Sequence, residues 1–216
     1  QQADLGIAFD GDGDRVVMVD HTGAIVDGDE LLFIIACSKI LDGGVAGGVV
    51  GTMMSNLGLE NALKEKGISF ARARVGDRYV MAELQSRNWL YGGESSGHLI
   101  CLDATSTGDG IISALQVLAA MQTKGKSLRE MKSRMVKYPQ TMINVRISDR
   151  SKLSNNPVIS AAQSKVEKSL GTEGRVLLRP SGTEPVVRVM IEGIDGALVL
   201  QLATELSEVV AREMAS

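Results

Sequence analysis

The stretch Asp10-Gly11-Asp12-Gly13-Asp14-Arg15 places three carboxylates at every second position, directly after the apolar run Leu5 to Phe9. Side chains at positions i, i+2 and i+4 of an extended segment project to the same side, so the three charges are crowded at the end of a strand. At a separation of ~5 Å and an effective dielectric constant of ~20, each like-charged pair costs roughly 3 kcal/mol. The pattern therefore predicts a bound cation, and ligands that are all carboxylates favour Mg²⁺ ahead of Ca²⁺ or Zn²⁺.

Two other interpretations of this acidic loop stay open, and a third is excluded. A solvated turn without a metal is one of them, because Asp-Gly pairs are common turn signals. The other is an aspartyl-phosphate phosphatase with Asp10 as nucleophile and Asp12 as acid/base partner, although such enzymes usually carry Thr or Val where Asp14 stands. An EF-hand is excluded because its loop requires Gly and Glu where this sequence has Arg15 and His21.

The composition narrows the class of protein. With 216 residues, 44% of them hydrophobic, the chain is long enough for one large or two small domains. A net charge of -3 and an aromatic content of 3% do not favour a nucleic-acid partner. The longest apolar run, Leu31 to Cys37, is too short to cross a bilayer, so we expect no membrane partner. Cys37 and Cys101 stand alone in apolar runs, which indicates buried thiols and a cytoplasmic protein.

The order of elements predicts a mixed α/β and α+β fold in three parts. Residues 1–42 read as a partial α/β domain that contains the acidic loop. Residues 43–137 alternate strands and helices, which is typical of an α/β domain, and residues 138–216 predict a smaller α+β domain.

Two helices of the first 137 residues have a predicted cap. We expect a helix from Glu30 to Ile40 that is capped by Asp29. A second helix, capped by Asp109, has apolar residues at the i, i+4 and i+7 positions of one face. These residues are Ile111, Leu115 and Leu118.

A second motif, Gly92-Gly93-Glu94-Ser95-Ser96-Gly97-His98, lies between two apolar strands. The alternation of Glu94, Ser96 and His98 predicts that all three side chains face one small ligand. A carboxylate and a hydroxyl suit the vicinal hydroxyls of a sugar, and a histidine can move a proton at neutral pH. A plain hairpin turn is the alternative.

A third motif is Arg179-Pro180-Ser181-Gly182-Thr183-Glu184-Pro185, with Arg188 on the strand that follows. Two hydroxyls, a glycine amide and two guanidinium groups form a set of donors suited to a dianionic phosphate. A surface hairpin with incidental arginines is the alternative.

In this order and spacing, the motifs DGDGDR, GESSGH and RPSGTEP resemble those of the α-D-phosphohexomutase family, over the whole chain. Members of that family have four domains, with a metal loop in the second, a sugar loop in the third and a phosphate loop in the fourth. The resemblance implies that this chain is the later part of such a protein. It would then contain part of the second domain, a sugar-binding α/β domain and a smaller phosphate-binding α+β domain.

The resemblance also implies a role for each motif. Mg²⁺ would be held by the three aspartates, and Arg15 would steady the transferring phosphoryl group. His98 would lie near the sugar as a proton shuttle. Arg78 would be a basic residue that positions or protonates the substrate, with an ion pair to Asp77 as the alternative. The residues implied to bind substrate are Glu94, Ser96, Gly97, Arg179, Ser181, Gly182, Thr183 and Arg188.

The activity implied by the resemblance is interconversion of glucosamine 6-phosphate and glucosamine 1-phosphate through a phosphoserine and a 1,6-bisphosphate. Glucose or mannose phosphates are alternative substrates, because Ser95 stands where amino-sugar enzymes more often have Gln or Asn. The family's phosphoserine lies in a first-domain Thr-Ala-Ser-His-type motif that is absent here, so we expect these 216 residues to be inactive alone. A sugar-phosphate-binding module without chemistry is the alternative of another class. The expected partners are a hexosamine phosphate and the amino-terminal domains of the same protein, with a homodimer left open.

Overall fold

The computed structural model describes residues 3–147, 153, 156–181 and 184–214. The chain forms two compact units, Gln1–Val136 and Lys137–Ser216. The first is α/β and the second is α+β, so the fold class predicted from the sequence is confirmed. The further division at residue 42 stays a prediction.

The first unit begins with three antiparallel strands, β1 (Leu5–Phe9), β2 (Val16–Asp20) and β3 (Ile25–Val26), in the order β1-β2-β3. The acidic loop connects β1 to β2, and the pairing of Phe9 with Val16 brings its two ends together. In the next turn the carboxylate of Asp20 accepts hydrogen bonds from the Thr22 hydroxyl and two backbone N–H groups. These bonds, the Thr22 hydroxyl foremost, outweigh the effect of burial and lower the pKa of Asp20 to about 2.

The prediction that Asp29 caps the first helix is wrong. Helix α1 spans Gly28–Ala36, and its N-cap is Asp27, whose carboxylate accepts a hydrogen bond from the Glu30 N–H. The Glu30 carboxylate accepts one in return from the Asp27 N–H, at 3.0 Å. This capping box satisfies two N–H groups at the start of the helix. Asp29 is instead buried and accepts a hydrogen bond from the Asn56 N–H at 2.8 Å.

The α-helical hydrogen bonding ends before Ile40, contrary to the prediction. The chain continues after α1 as a π-helical segment, Cys37–Asp42. Burial raises the pKa of the Cys37 thiol to about 11 and that of the fully buried Cys101 thiol to about 12. Both thiols are therefore protonated and unreactive at neutral pH.

Strands and helices then alternate through the rest of the first unit: β4 (Gly48–Thr52), α2 (Leu57–Glu65), β5 (Ser69–Ala73), α3 (Asp77–Arg87), β6 (Tyr91–Gly93), β7 (Leu99–Cys101), α4 (Gly110–Lys124) and α5 (Leu128–Lys132). The strand order is β5-β4-β6-β7, with β4, β5 and β6 parallel and β7 antiparallel. The loops after β4, β5 and β6 therefore share one edge of the sheet. The connection from β4 leads to β5 on one side, and the chain then returns to β6 on the other side of β4. The carboxyl end of β4 is therefore a topological switch point, and α/β sheets bind ligands at such points.

The face of α4 that packs inward differs from the apolar face read from the sequence. Asp109 caps the helix as predicted, by accepting a hydrogen bond from the Ile112 N–H. However, Ile111 and Leu115 are 58% and 51% exposed. The buried face carries small side chains, which let the helix approach its neighbours closely. Its residues are Gly110, Ser113, Ala114, Val117 and Ala120.

The second unit is one antiparallel sheet covered on one face by helices. Its elements are β8 (Gln140–Arg146), α6 (Pro157–Leu170), β9 (Gly174–Pro180), β10 (Val186–Gly193) and α7 (Gly196–Met214), and the strand order is β8-β10-β9. Val187, Val189 and Ile191 of β10 lie in the core with α6 and α7. Because side chains alternate along a strand, Arg188 lies on the opposite face. Among the described residues, no helix is both long and apolar enough to span a membrane.

Candidate functional site

The three aspartates of the acidic loop lie close enough together to share one cation. Each of Asp10, Asp12 and Asp14 offers an oxygen within 4.8 Å of the other two. The loop curls because Gly13 adopts a φ of 74° and donates a hydrogen bond to the Asp10 carbonyl. Within the described part of the chain, the buried Oδ1 of Asp14 accepts no hydrogen bond. A buried carboxylate oxygen that accepts no hydrogen bond fits a metal ligand.

Arg15 lies against the same carboxylates. Its backbone N–H donates to Asp10 Oδ1 at 3.2 Å, and its Nε lies 3.6 Å from Asp10 Oδ2 and 3.8 Å from Asp14 Oδ1. Desolvation acts to raise the pKa of Asp10, but the backbone hydrogen bond and the charge of Arg15 help to bring it below its ordinary value. Asp10 therefore stays ionised at neutral pH, with Arg15 half exposed beside it.

The motif at residues 92–98, named the sugar loop for the role that the family resemblance implies, forms a hairpin turn between β6 and β7, and backbone hydrogen bonds join it to the acidic loop. The Val16 N–H donates to the Gly97 carbonyl at 3.1 Å, and Arg15 and His98 form an isolated β-bridge. Gly97 has a φ of 95°, and a Cβ added to it would lie 2.1 Å from the Val16 carbonyl oxygen. Gly97 therefore serves this junction, which the sequence prediction of a substrate contact did not foresee.

His98 connects the two loops through its side chain. Its Nδ1 lies 3.0 Å from Asp14 Oδ2, and the residue is only 7% exposed. On its other side the ring faces Gly108, where an added Cβ would lie 2.0 Å from Nε2. Gly108 carries no motif signal in the sequence, so only the structure shows that the histidine needs a glycine there.

Glu94 and Ser96 have different surroundings although they belong to one loop. Glu94 Oε1 accepts a hydrogen bond from the Gly76 N–H at 2.8 Å, which ties the sugar loop to the loop after β5. Ser96 is exposed and lines an open cavity of about 280 Å³ together with Asp10 and Arg15. Convergence of these side chains on one ligand stays a prediction.

Arg78 does not use its guanidinium group for an ion pair with Asp77, the alternative considered from the sequence. Asp77 Oδ1 accepts a hydrogen bond from the Arg78 backbone N–H at 2.7 Å. The guanidinium group instead donates to the Tyr79 hydroxyl at 2.7 Å and lies over its ring.

In the second unit, Arg179 and Arg188 are cross-strand partners on neighbouring strands. Arg188 Nη2 lies 3.4 Å from Glu184 Oε2, and its buried Nε donates no hydrogen bond within the described residues. Ser181 is buried, and its hydroxyl accepts a hydrogen bond from the Glu184 N–H. Gly182 and Thr183 lie outside the described residues.

Asn144 lies on the same face of the sheet as Arg188. Its Cα pairs with Arg188 across β8 and β10, so Asn144, Arg188 and Arg179 form one row across the three strands. This row depends on strand register, which follows from the tertiary structure.

The fold is similar to that of two sugar-phosphate mutases of known structure. A crystal structure of N-acetylglucosamine-phosphate mutase, a member of that superfamily in its product complex, matches 95% of this chain and 48% of its own, with a TM-score of 0.80 and 21% identity. Aspergillus fumigatus N-acetylphosphoglucosamine mutase in complex with GlcNAc-6P and magnesium matches 99% of this chain and 50% of its own, with a TM-score of 0.84 and 19% identity. At these identities the likeness shows the fold alone.

The chain belongs to the phosphoglucomutase/phosphomannomutase family. The alpha/beta/alpha domain III of that family matches residues 27–138, and its C-terminal domain matches residues 142–209. The family resemblance predicted from the three motifs is therefore confirmed.

Relatives with high identity are named phosphoglucosamine mutase. The protein from Cellvibrio japonicus (strain Ueda107) is 61% identical over 208 residues, which cover 96% of this chain and 47% of the relative. The protein from Methylococcus capsulatus (strain ATCC 33009 / NCIMB 11132 / Bath) is 56% identical over 212 residues, 98% of this chain and 47% of the relative. The chain thus spans about half the length of the curated relatives it matches.

Proposed function

We propose that this chain supplies the metal, sugar and phosphate subsites of a phosphoglucosamine mutase, which interconverts glucosamine 6-phosphate and glucosamine 1-phosphate. The observation that carries the proposal is the backbone junction between the acidic loop and the sugar loop, because it holds the three aspartates beside the loop that contains Glu94 and Ser96. Identities of 56% and 61% to relatives of that name favour the amino sugar over glucose or mannose.

The donors of the acidic loop fit a divalent cation. We assign Asp10, Asp12 and Asp14 as ligands of Mg²⁺, because their oxygens converge and the buried Asp14 Oδ1 accepts no hydrogen bond among the described residues. Hard carboxylate oxygens suit this ion. When bound, Mg²⁺ neutralises charge on a phosphoryl group in transfer.

The chain's own side chains bind and orient the sugar phosphate. Arg15 offers its remaining N–H groups to the phosphoryl group that moves. The Ser96 hydroxyl and the second carboxylate oxygen of Glu94 bind vicinal sugar hydroxyls. Arg179 and Arg188 bind the phosphate that is not transferred, together with the loop that contains Ser181, Gly182 and Thr183.

The proposed reaction consists of two phosphoryl transfers. A phosphoserine gives its phosphoryl group to the O1 hydroxyl of glucosamine 6-phosphate, which leaves free serine and a 1,6-bisphosphate. After the intermediate reorients, the O6 phosphoryl group returns to serine, and glucosamine 1-phosphate remains. We place that serine outside these 216 residues, which contain no Thr-Ala-Ser-His-type motif. Ser55 is no substitute, because it is fully buried and its hydroxyl accepts a hydrogen bond from the Thr52 N–H.

His98 serves in this proposal as a positioning residue for Asp14. The His98 ring is enclosed between the Asp14 carboxylate and Gly108. It can therefore orient Asp14, which we assign as a metal ligand. Partners that hydrogen-bond to a ligand fix its direction and tune the metal site. This role differs from the proton shuttle that the family resemblance implies for His98.

We expect His98→Ala to weaken Mg²⁺ binding by this chain about tenfold, because the Asp14 carboxylate loses the group that orients it. His98→Asn should weaken it less, since its amide can donate near the position of Nδ1. Isothermal titration calorimetry at one fixed pH measures both variants. His21→Ala, in an exposed turn, is the matched control, and equal affinity of His98→Ala and His21→Ala would contradict the positioning role.

The proposed activity can be tested in a chimera. The amino-terminal half of the Cellvibrio japonicus relative, joined to this chain, should convert glucosamine 6-phosphate to glucosamine 1-phosphate faster than glucose 6-phosphate or mannose 6-phosphate to their 1-phosphates. The 216-residue chain alone should show no turnover. Release of inorganic phosphate without isomerisation would favour a phosphatase instead, and binding without any turnover in the chimera would favour a sugar-phosphate-binding module.

A cytoplasmic location and a homodimer stay predictions.

A further inference from the structure

A cavity of about 220 Å³ lies in the first unit, at the carboxyl end of α1. Its apolar lining comes from Phe33 and Ile34, which are buried, and from the half-buried Met131 of α5. The π-helical segment Cys37–Asp42 forms one wall, and turns of this rare kind are frequent at functional sites. Because an apolar cavity of about 150 Å³ binds benzene, this one has room for a small organic molecule.

Basic side chains form most of the polar part of the lining. Lys124 Nζ lies 2.8 Å from Asp42 Oδ1, so these two charges neutralise each other. The other three basic residues form no ion pair in the part of the chain that the structure describes, and they are at least half exposed. These residues are Lys66, Lys126 and Arg134.

The remaining acidic residue of the lining, Glu130, already accepts hydrogen bonds. Its Oε2 accepts one from the Ser127 N–H at 2.8 Å and one from the Ser127 hydroxyl at 2.6 Å. The positive charges also act on the apolar wall. Burial raises the pKa of the Cys37 thiol, whereas the charges of Lys66 and Arg134 act in the opposite direction. The cavity therefore combines an apolar surface with an excess of positive charge.

This cavity is separate from the proposed sugar-phosphate subsites. Helix α1 has nine residues and is therefore about 13 Å long. At its amino end the Gly28 N–H donates a hydrogen bond to the Ser95 carbonyl of the sugar loop at 3.2 Å, whereas the cavity lies at its carboxyl end. No residue of the acidic loop or the sugar loop is part of the lining.

We propose that this cavity is a second ligand site, which binds a small organic carboxylate with one apolar group. The apolar group would contact Phe33, Ile34 and Met131, and the carboxylate would accept hydrogen bonds from Lys126 and Arg134. A sugar phosphate does not fit this site, because its hydroxyl groups would lie against apolar side chains without hydrogen-bond partners. The carboxylates of Asp42 and Glu130 also repel a doubly charged ligand more strongly than a singly charged one.

The methyl signal of Met131 in an NMR spectrum of the 216-residue chain tests this site directly, and its loss in Met131→Leu identifies it. The signal should shift when octanoate is added. It should shift much less with octanol, which lacks the charge, and not at all with acetate, which lacks the apolar chain. Met142, exposed in the second unit, is the reference and should not shift. An unshifted Met131 signal at saturating octanoate, or an equal response to octanol, would overturn the inference.

Affinity for octanoate provides a second measurement. The double variant Lys126→Gln/Arg134→Gln should bind octanoate about tenfold more weakly, because two charged hydrogen-bond donors are lost. The matched control is Lys64→Gln/Arg129→Gln, since both residues are exposed and neither lines the cavity. Glucosamine 6-phosphate should not displace octanoate. Equal affinities of the two double variants, or displacement by the sugar phosphate, would contradict the inference and leave the proposed function in place.

Discussion

Replacing Asp12 by Asn should weaken Mg²⁺ binding by this chain on the order of 30-fold or more, which corresponds to about 2 kcal/mol. The substitution keeps the size of the side chain but removes one of three carboxylates that converge within 4.8 Å. Asp12 is exposed, so the change leaves the core intact and acts on the charge of the site. Isothermal titration calorimetry with Mg²⁺ alone measures the affinity.

Asp4→Asn is the control for this substitution, because Asp4 is also an exposed aspartate near β1 but lies outside the acidic loop. It should leave Mg²⁺ affinity unchanged. Increasing salt should weaken Mg²⁺ binding by the unaltered chain, since the site is open to solvent on one side. Equal Mg²⁺ affinity of the Asp12 and Asp4 variants would remove the metal site from the proposal.

Gly97→Ala should lower the free energy of unfolding of this chain by roughly 3 kcal/mol. Two independent causes add together. The φ of 95° is a conformation that alanine adopts only with strain, and the new Cβ would lie 2.1 Å from the Val16 carbonyl oxygen. Backbone atoms cannot turn aside as a flexible side chain can, so the junction between the sugar loop and β2 must open. Urea unfolding followed by circular dichroism measures the loss.

Gly11→Ala is the matched control, because Gly11 lies in the acidic loop, has no positive φ, and has nothing within 4 Å of an added Cβ. It should change the unfolding free energy by a few tenths of a kcal/mol at most. At a urea concentration where Gly97→Ala stays folded, its Mg²⁺ affinity should also fall, because the acidic loop loses its support. A Gly97→Ala variant as stable as Gly11→Ala would show that this junction is not close-packed.

The wrong N-cap predicted for α1 could have been corrected from the sequence. The residues Asp27 and Glu30 have the spacing of a capping box, which identifies Asp27 as the N-cap of α1 ahead of Asp29.

No sequence pattern indicated which face of α4 would point outward. Periodicity identified Ile111 and Leu115 as one face, but close approach to neighbouring elements selected the smaller side chains of the opposite face for burial.

The amino-acid sequence by itself determined the family, the order of strands and helices, and the cluster of Asp10, Asp12 and Asp14. The aspartates could be found because they are two residues apart, and local backbone geometry alone brings them together. Only the tertiary structure decided that His98 contacts Asp14 across 84 positions of sequence and that basic residues far apart in the sequence line one cavity. Such contacts depend on strand register and on which side chains pack together, and no local periodicity encodes either.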